Sequence, residues 1–160
     1  MIDFELECIR TIAESYPAER RYALPILQAI QREFNYIPEG SLDIVNERIG
    51  APVAQLYALA TFYKALSLTP KGKHIIKVCD GTACHMRGSN SLLIGIKQFL
   101  GISPGELSED GQFSLECVNC VGSCALAPVM IVDDTYYPQV TTDKLAAILD
   151  TYKPGGDNDE

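Results

Sequence analysis

The chain has 160 residues, 47% of them hydrophobic and 21% charged, with a formal net charge of -8. These proportions suit one compact domain, or a small domain with a helical appendage, and exclude an intrinsically disordered chain. The negative charge, spread over both halves, argues against nucleic acid or anionic lipid as a partner.

Residues 4 to about 66 read as a run of short helices. Phe4, Leu6, Ile9, Ile12 and Ala13 keep helical spacing up to a stop at Pro17. A second helix is expected from about Leu24 to Phe34, with Pro25 in its first turn, where the missing N–H has no partner to lose. Leu42, Ile44, Val45 and Ile49 mark a third, closed by Gly50. Ala51-Pro52 opens a fourth, which carries Val53, Leu56, Leu59, Ala60 and Phe62. Together they predict a small bundle or a helix-turn-helix-like module over residues 1–70. With nine Asp and Glu against six Lys and Arg there, the module lacks the charge that phosphate recognition needs, and docking or packing is its expected role.

Thr69-Pro70-Lys71-Gly72-Lys73 has linker composition, and the periodicity changes beyond it. His74–Cys79 is a β-branched strand. Ser89 or Asn90 can cap a helix with Leu92, Leu93, Ile96, Phe99 and Leu100 toward the core, ended by Gly101. After an Asp110-Gly111 turn, Phe113, Leu115 and Cys117 alternate with Ser114 and Glu116 as a half-buried strand. Val129–Val132, an Asp133-Asp134 turn, Tyr136-Tyr137 and a last helix capped by Thr141 or Thr142 complete an α/β domain over residues 71–153. Residues 154–160 have the composition of a disordered acidic tail.

Chemistry centres on cysteine. Six cysteines in a chain of this size and compartment are better explained as thiols kept for metal than as a disulfide framework. Cys79-Asp-Gly-Thr-Ala-Cys84 and Cys120-Val-Gly-Ser-Cys124 form two pairs in glycine-bearing loops. Two pairs suit a binuclear iron-sulfur cluster, whose two irons each need two thiolates. Gly81 and Gly122 let backbone come close to sulfur, and Thr82, Ala83, Ser123 and Ala125 avoid crowding. A structural zinc site favours two-residue spacers, unlike these. Cys117-Val-Asn-Cys120 has the spacing of a thioredoxin redox pair, but it straddles a strand end with no helix expected after it. By parity with Phe113 and Leu115, Cys117 reads as a small core residue, which leaves Cys120 and Cys124 as the better ligands; Cys8 reads as a helix-face residue.

Two stretches, Val78-Cys79-Asp80-Gly81-Thr82-Ala83-Cys84-His85-Met86-Arg87-Gly88 and Val118-Asn119-Cys120-Val121-Gly122-Ser123-Cys124-Ala125-Leu126-Ala127-Pro128, resemble the thioredoxin-like 2Fe-2S (NuoE-type) subunit of NADH:quinone oxidoreductase. Ile37-Pro38-Glu39 and Ala60-Thr61-Phe62-Tyr63 extend the resemblance into the helical part. It implies a thioredoxin-like ferredoxin domain behind a small helical bundle, and Cys79, Cys84, Cys120 and Cys124 as ligands of one 2Fe-2S cluster, with Cys117 outside the motif. It also implies an electron-transfer subunit, itself not catalytic, beside a flavoprotein that holds FMN and NADH and beside further iron-sulfur subunits. Gly-Thr-Ala-Cys-His-Met-Arg-Gly, preceded by Pro70-Lys71-Gly72-Lys73-His74, looks closer to the soluble, electron-bifurcating hydrogenase and formate dehydrogenase branch than to the respiratory enzyme. A free thioredoxin-like ferredoxin is the other alternative, and the helical module speaks against it.

His85 can tune a cluster or sit as a surface histidine, and Arg87 can offset cluster charge or be solvated. With no Gly-rich phosphate loop in register after a strand, pyridine nucleotide and flavin are expected on another chain. The N-terminus lacks the blocks of a secretory signal, and no apolar run approaches the ~20 residues of a membrane helix. A cytoplasmic protein without direct membrane insertion is expected.

Overall fold

The computed structural model describes residues 2–153; the expected acidic tail, residues 154–160, lies outside them. The chain divides into two compact units, Met1–Pro70 and Lys71–Glu160.

The first unit is helical: α1 (Ile2–Glu14), α2 (Ala23–Phe34), α3 (Ser41–Ile49) and α4 (Val53–Phe62), with a single 3-10 turn at Arg20–Tyr22. Pro25 sits in the first turn of α2, where it costs no hydrogen bond. Gly50 closes α3 in the left-handed region, φ 66°, and its N–H donates to the Asn46 carbonyl. Ile9 and Ala13 of α1 meet Ile26 and Ile30 of α2, Val45 and Ile49 of α3 and Leu56 of α4 in one buried cluster. Arg48 ties α3 to the end of α1, donating from Nη2 to the carbonyls of Tyr16 at 3.0 Å and Glu14 at 3.4 Å. Those carbonyls lie at and beyond a helix C-terminus, where a cation complements the dipole.

Three residues expected on helix stripes lie elsewhere: Phe4 and Phe62 are each 78% exposed, and Val53 is exposed as well. Phe4 lies more than a turn before the fully buried Ile9 of α1. On α4 the cause is composition, because a helix apolar on nearly every side has no period to choose its buried face. Packing selects Leu56 and Ala60, four residues apart, and leaves Tyr57 and Phe62 outside.

The second unit is α/β: β1 (His74–Cys79), α5 (Thr82–Met86), α6 (Ser89–Leu100), β2 (Phe113–Val118), a 3-10 turn at Cys124–Leu126, β3 (Met130–Val132), β4 (Thr135–Tyr137) and α7 (Thr142–Asp150). Among the described residues the sheet order is β2-β1-β3-β4. β1 and β2 run parallel, with His74 opposite Phe113 and Cys79 opposite Val118, so a helical crossover must join them. β3 pairs antiparallel with β1, and β4 with β3 across a turn in which Asp133 adopts φ 54°. Asp133 is held in that conformation by accepting hydrogen bonds from the Ile75 N–H at 2.9 Å and from His74 Nδ1 at 2.8 Å.

Alternation along the strands builds the core. Ile76, Val78, Phe113, Leu115, Met130 and Val132 face Leu92 and Ile96 of α6 and Leu145 and Leu149 of α7. Because Ile76 is fully buried on the central strand β1, Ile76→Ala is expected to lower unfolding free energy by about 2–5 kcal/mol, measured by urea denaturation.

Phe99, expected toward the core, is exposed at the last turn of α6, and three further sequence readings change here. Ser114, expected to face out, is buried, because the linker crosses it and the Gly72 N–H donates to Ser114 Oγ at 2.7 Å. A Cβ on Gly72 would lie 2.6 Å from the Phe113 carbonyl carbon, so only glycine fits that crossing. Cys117, expected in the core, is exposed. Parity gave the correct side, but the last residues of the edge strand β2 carry no helix cover, and the core reaches only to Leu115. Neither Ser89 nor Asn90 caps α6; Gly88 holds that position at φ 107°.

Tyr137 Oη and Tyr152 Oη are 2.7 Å apart. Burial, then the Tyr152 hydrogen bond, then the Tyr152 and Asp133 charges push the Tyr137 phenol up to about 12 from 10.0. The folded state therefore favours protonated Tyr137, a contribution complete below pH 10 and lost as pH rises through 12. An alkaline absorbance titration is expected to show one tyrosine ionising near pH 12 that vanishes in Tyr137→Phe.

Candidate metal centre

Cys79 ends β1, and its N–H donates to the Val129 carbonyl at 3.1 Å, which fixes the strand end against the segment leading into β3. The chain then turns at Asp80, whose N–H donates to the Val118 carbonyl at 2.8 Å. Between the first two cysteines the expected loop contains a helix: Thr82–Met86 forms α5, which carries Cys84 on its inner side. Five residues are too few for a hydrophobic period to reveal them.

Cys79 and Cys84 are each only 2% exposed and pack with Ala127, Val129 and Ile131. Cys120 and Cys124 are exposed, with sulfurs 3.4 Å apart. Between them Gly122 adopts φ 82°, and its N–H points at Cys120 Sγ at 3.4 Å. That left-handed residue turns the amide inward, as the glycine suggested.

Gly81 joins the two segments. A Cβ there would stand 2.8 Å from Cys120 Cβ and 3.0 Å from Cys120 Cα. The space on that side of Gly81 is thus already filled by the backbone of the other cysteine segment, and only glycine allows the approach. On the same side the Cys79 thiol reaches the Asn119 carbonyl at 3.8 Å.

The thiols sense one another. Burial pushes the Cys84 thiol up, opposed by a hydrogen bond to the Val129 backbone and reinforced by Cys79 and the charge of Cys124. The Gly122 N–H, then the Cys124 thiol, pull Cys120 down. Cys124 is pushed up by its hydrogen bond to Cys120, by the Cys120 charge, by desolvation and by Cys79. Cys79 and Cys84 thus form a buried pair and Cys120 and Cys124 an exposed one, and the charges of Cys124 and Cys79 act from one pair on the other. Among the described residues no three His, Cys, Asp or Glu side chains surround a single ion position. Two pairs of soft donors, on segments that come together where Gly81 meets Cys120, fit a binuclear iron-sulfur group.

Cys117 lies near enough that, after desolvation, the charges of Asp80 and Cys79 raise its thiol. It stands opposite Val78 in the β1–β2 register, one residue short of the turn. Cys8 is half-buried on α1, in the other unit. His85 is exposed, and its Nδ1 lies 2.9 Å from Asp80 Oδ1. Arg87 is exposed, and only its backbone N–H has described partners, the Ala83 and Cys84 carbonyls. Two residues to which the sequence reading gave no part in the site complete the support: buried Ser89 donates from Oγ to Asp80 Oδ1 at 2.7 Å, and Asp80 in turn receives His85. Those two bonds, Ser89 first, hold the Asp80 carboxyl below its usual range. Position was the available signal, since Asp80 follows a ligand candidate and Ser89 opens the next helix.

Residues 9–153 match the thioredoxin-like 2Fe-2S ferredoxin family. A component, HndA, of the NADP-reducing hydrogenase of Solidesulfovibrio fructosivorans is 36% identical over 87% of this chain and 81% of its own length. A component of the NADH-quinone oxidoreductase of Pseudomonas aeruginosa is 34% identical over 86% of this chain and 82% of its own. An NAD+-reducing NiFe-hydrogenase, solved in its air-oxidized state, superposes with a TM-score of 0.68 at 20% identity, over 79% of this chain and 22% of that one. This last likeness concerns the fold, and this chain spans about a fifth of that hydrogenase chain.

Proposed function

Because the chain belongs to the thioredoxin-like 2Fe-2S ferredoxin family, we propose that Cys79, Cys84, Cys120 and Cys124 hold one 2Fe-2S cluster that relays electrons within an NAD(H)-linked oxidoreductase complex. The contact of Gly81 with Cys120 carries this reading, since it brings the two thiol pairs together. When bound, the cluster supplies a one-electron redox couple.

The chain's own residues set the conditions for that couple. Burial of Cys79 and Cys84 in an apolar wall disfavours added negative charge, whereas the Gly122 N–H at Cys120 stabilises it. The buried pair keeps water from one side, and the exposed pair leaves the other side open to a partner. Asp80, fixed by Ser89 and by its own N–H bond to Val118, holds the turn between the first two ligands.

In this reading the chain performs no substrate chemistry. NADH and FMN bind a neighbouring flavoprotein, further iron-sulfur subunits continue the path, and the complex works in the cytoplasm. No helix of the described residues is long and apolar enough to cross a membrane. A soluble, bifurcating hydrogenase or formate dehydrogenase is the assembly favoured by the Gly-Thr-Ala-Cys-His-Met-Arg-Gly wording. Respiratory NADH:quinone oxidoreductase stands as the second reading, because relatives named for both assemblies match at nearly equal identity. Isolation of the tagged chain from its native cells tests the proposal. FMN and NADH-oxidising activity should co-purify, with activity toward hydrogen, formate or quinone identifying the branch. A cluster-bearing chain isolated alone, with no flavoprotein, would overturn the subunit role.

A further inference from the structure

The second unit carries a groove of about 780 Å³ at the end of α6, lined by that helix end, residues 101–102 and 106–110, and Lys153. Its floor is apolar: Ile102 is buried, while Phe99 and Leu107 keep 36% and 40% of their surface open. Three carboxylates, Glu106, Glu109 and Asp110, stand around it. Glu106 accepts the Ser103 N–H at 2.7 Å, and Asp110 accepts the Gln112 N–H at 3.0 Å and a Ser108 hydroxyl bond. These bonds fix the Glu106 and Asp110 carboxylates in place beside the apolar side chains of the groove.

One cation already lies in the trough. Lys153 Nζ sits 4.2 Å from the centroid of the Phe99 ring and 2.9 Å from Asp150 Oδ1, and its charge helps to lower the Asp110 carboxyl. An ammonium over an aromatic face beside carboxylates is an arrangement that binds lysine side chains. Asp157, Asp159 and Glu160, which follow in the sequence, have the same sign as the rim. A second copy, equally acidic, would be repelled at long range.

We propose that this groove docks a lysine-bearing, partly apolar segment of a partner subunit, with Lys153 as the internal stand-in that the partner's ammonium displaces. The inference rests on the chain being one component of a complex, but not on which complex. The groove flanks the start of β2, near Phe113, and the cysteine centre lies at that strand's other end. Docking there would leave the exposed thiol pair free for an electron partner.

The test uses the complex isolated through a tag on this chain. Carbodiimide, which joins a carboxylate to an amine with no added atoms, should link Glu109 or Asp110 to a lysine of another subunit. E109Q/D110N should lose that link, E109K/D110K should lower partner retention about tenfold, and K153A should raise the cross-link yield. The cluster's visible spectrum should be unchanged in all three variants, which shows that they fold. Links only to Lys153 or to a second copy, or full retention in E109K/D110K, would overturn the proposal. If flavin and partners co-purify but link elsewhere, the groove alone is refuted. If no partner co-purifies, the subunit role falls with it.

Discussion

Alanine at Cys79, Cys84, Cys120 or Cys124 is expected to remove the cluster, taking iron from about two per chain to near zero on anaerobic reconstitution, whereas Cys117→Ala keeps it. The four are not equivalent in what else they do. Cys79 and Cys84 are walled in by Ala127, Val129 and Ile131, so alanine there leaves a small apolar gap and costs about 1 kcal/mol of apoprotein stability. Cys120 and Cys124 are exposed, and alanine at either should leave the apoprotein's melting temperature unchanged. Iron and melting temperature together thus separate lost ligation from lost packing. Cys117 is the discriminating control, because it lies close enough to feel Cys79 and shares its chain segment with two of the ligands.

Gly81→Val is expected to be as damaging as losing a ligand, although it removes no thiol. Its added Cβ would meet the Cβ and Cα of Cys120 at 2.8 and 3.0 Å, and a backbone neighbour cannot rotate away as a flexible side chain can. The two cysteine segments must separate, at a cost of about 1–3 kcal/mol, and the thiol pairs then no longer meet. Gly95→Ala supplies the contrast, since its added methyl would meet the flexible end of Leu145 at 3.0 Å, inside α6. Reconstitution should therefore yield a full visible spectrum for Gly95→Ala and almost none for Gly81→Val.

What the sequence disclosed depended on how local the cause was. β1 was legible over His74–Cys79 because a run of β-branched residues after a Pro-Gly linker has few other readings. The helices α2, α3 and α6 were legible from spacing and from the closing glycines at 50 and 101. Helix α5 was not, being shorter than two turns. Burial was harder to read than secondary structure: Cys117 and Ser114 both lie where alternation placed their elements, yet one is exposed at an uncovered strand end and the other buried under the linker.

The candidate site divides the same way. Thiol spacing and the small residues between the thiols could be read directly, and so could the close approach of backbone to sulfur at Gly122. Approach of Gly81 to Cys120 could not, because it joins positions 39 residues apart in number, and no local pattern encodes such a contact. The Ser89–Asp80 bond was hidden for a related reason, since a serine at a helix start has capping as its default use and here serves the turn beside Cys79 instead.

Metal and sulfide analysis of the anaerobically purified full-length chain, with EPR of the dithionite-reduced sample, tests the central claim most directly. About two irons and about two sulfides per chain, with the signal of one reduced binuclear cluster, are expected. Zinc without iron would contradict the account, and so would iron that survives Cys120→Ala but is lost in Cys117→Ala.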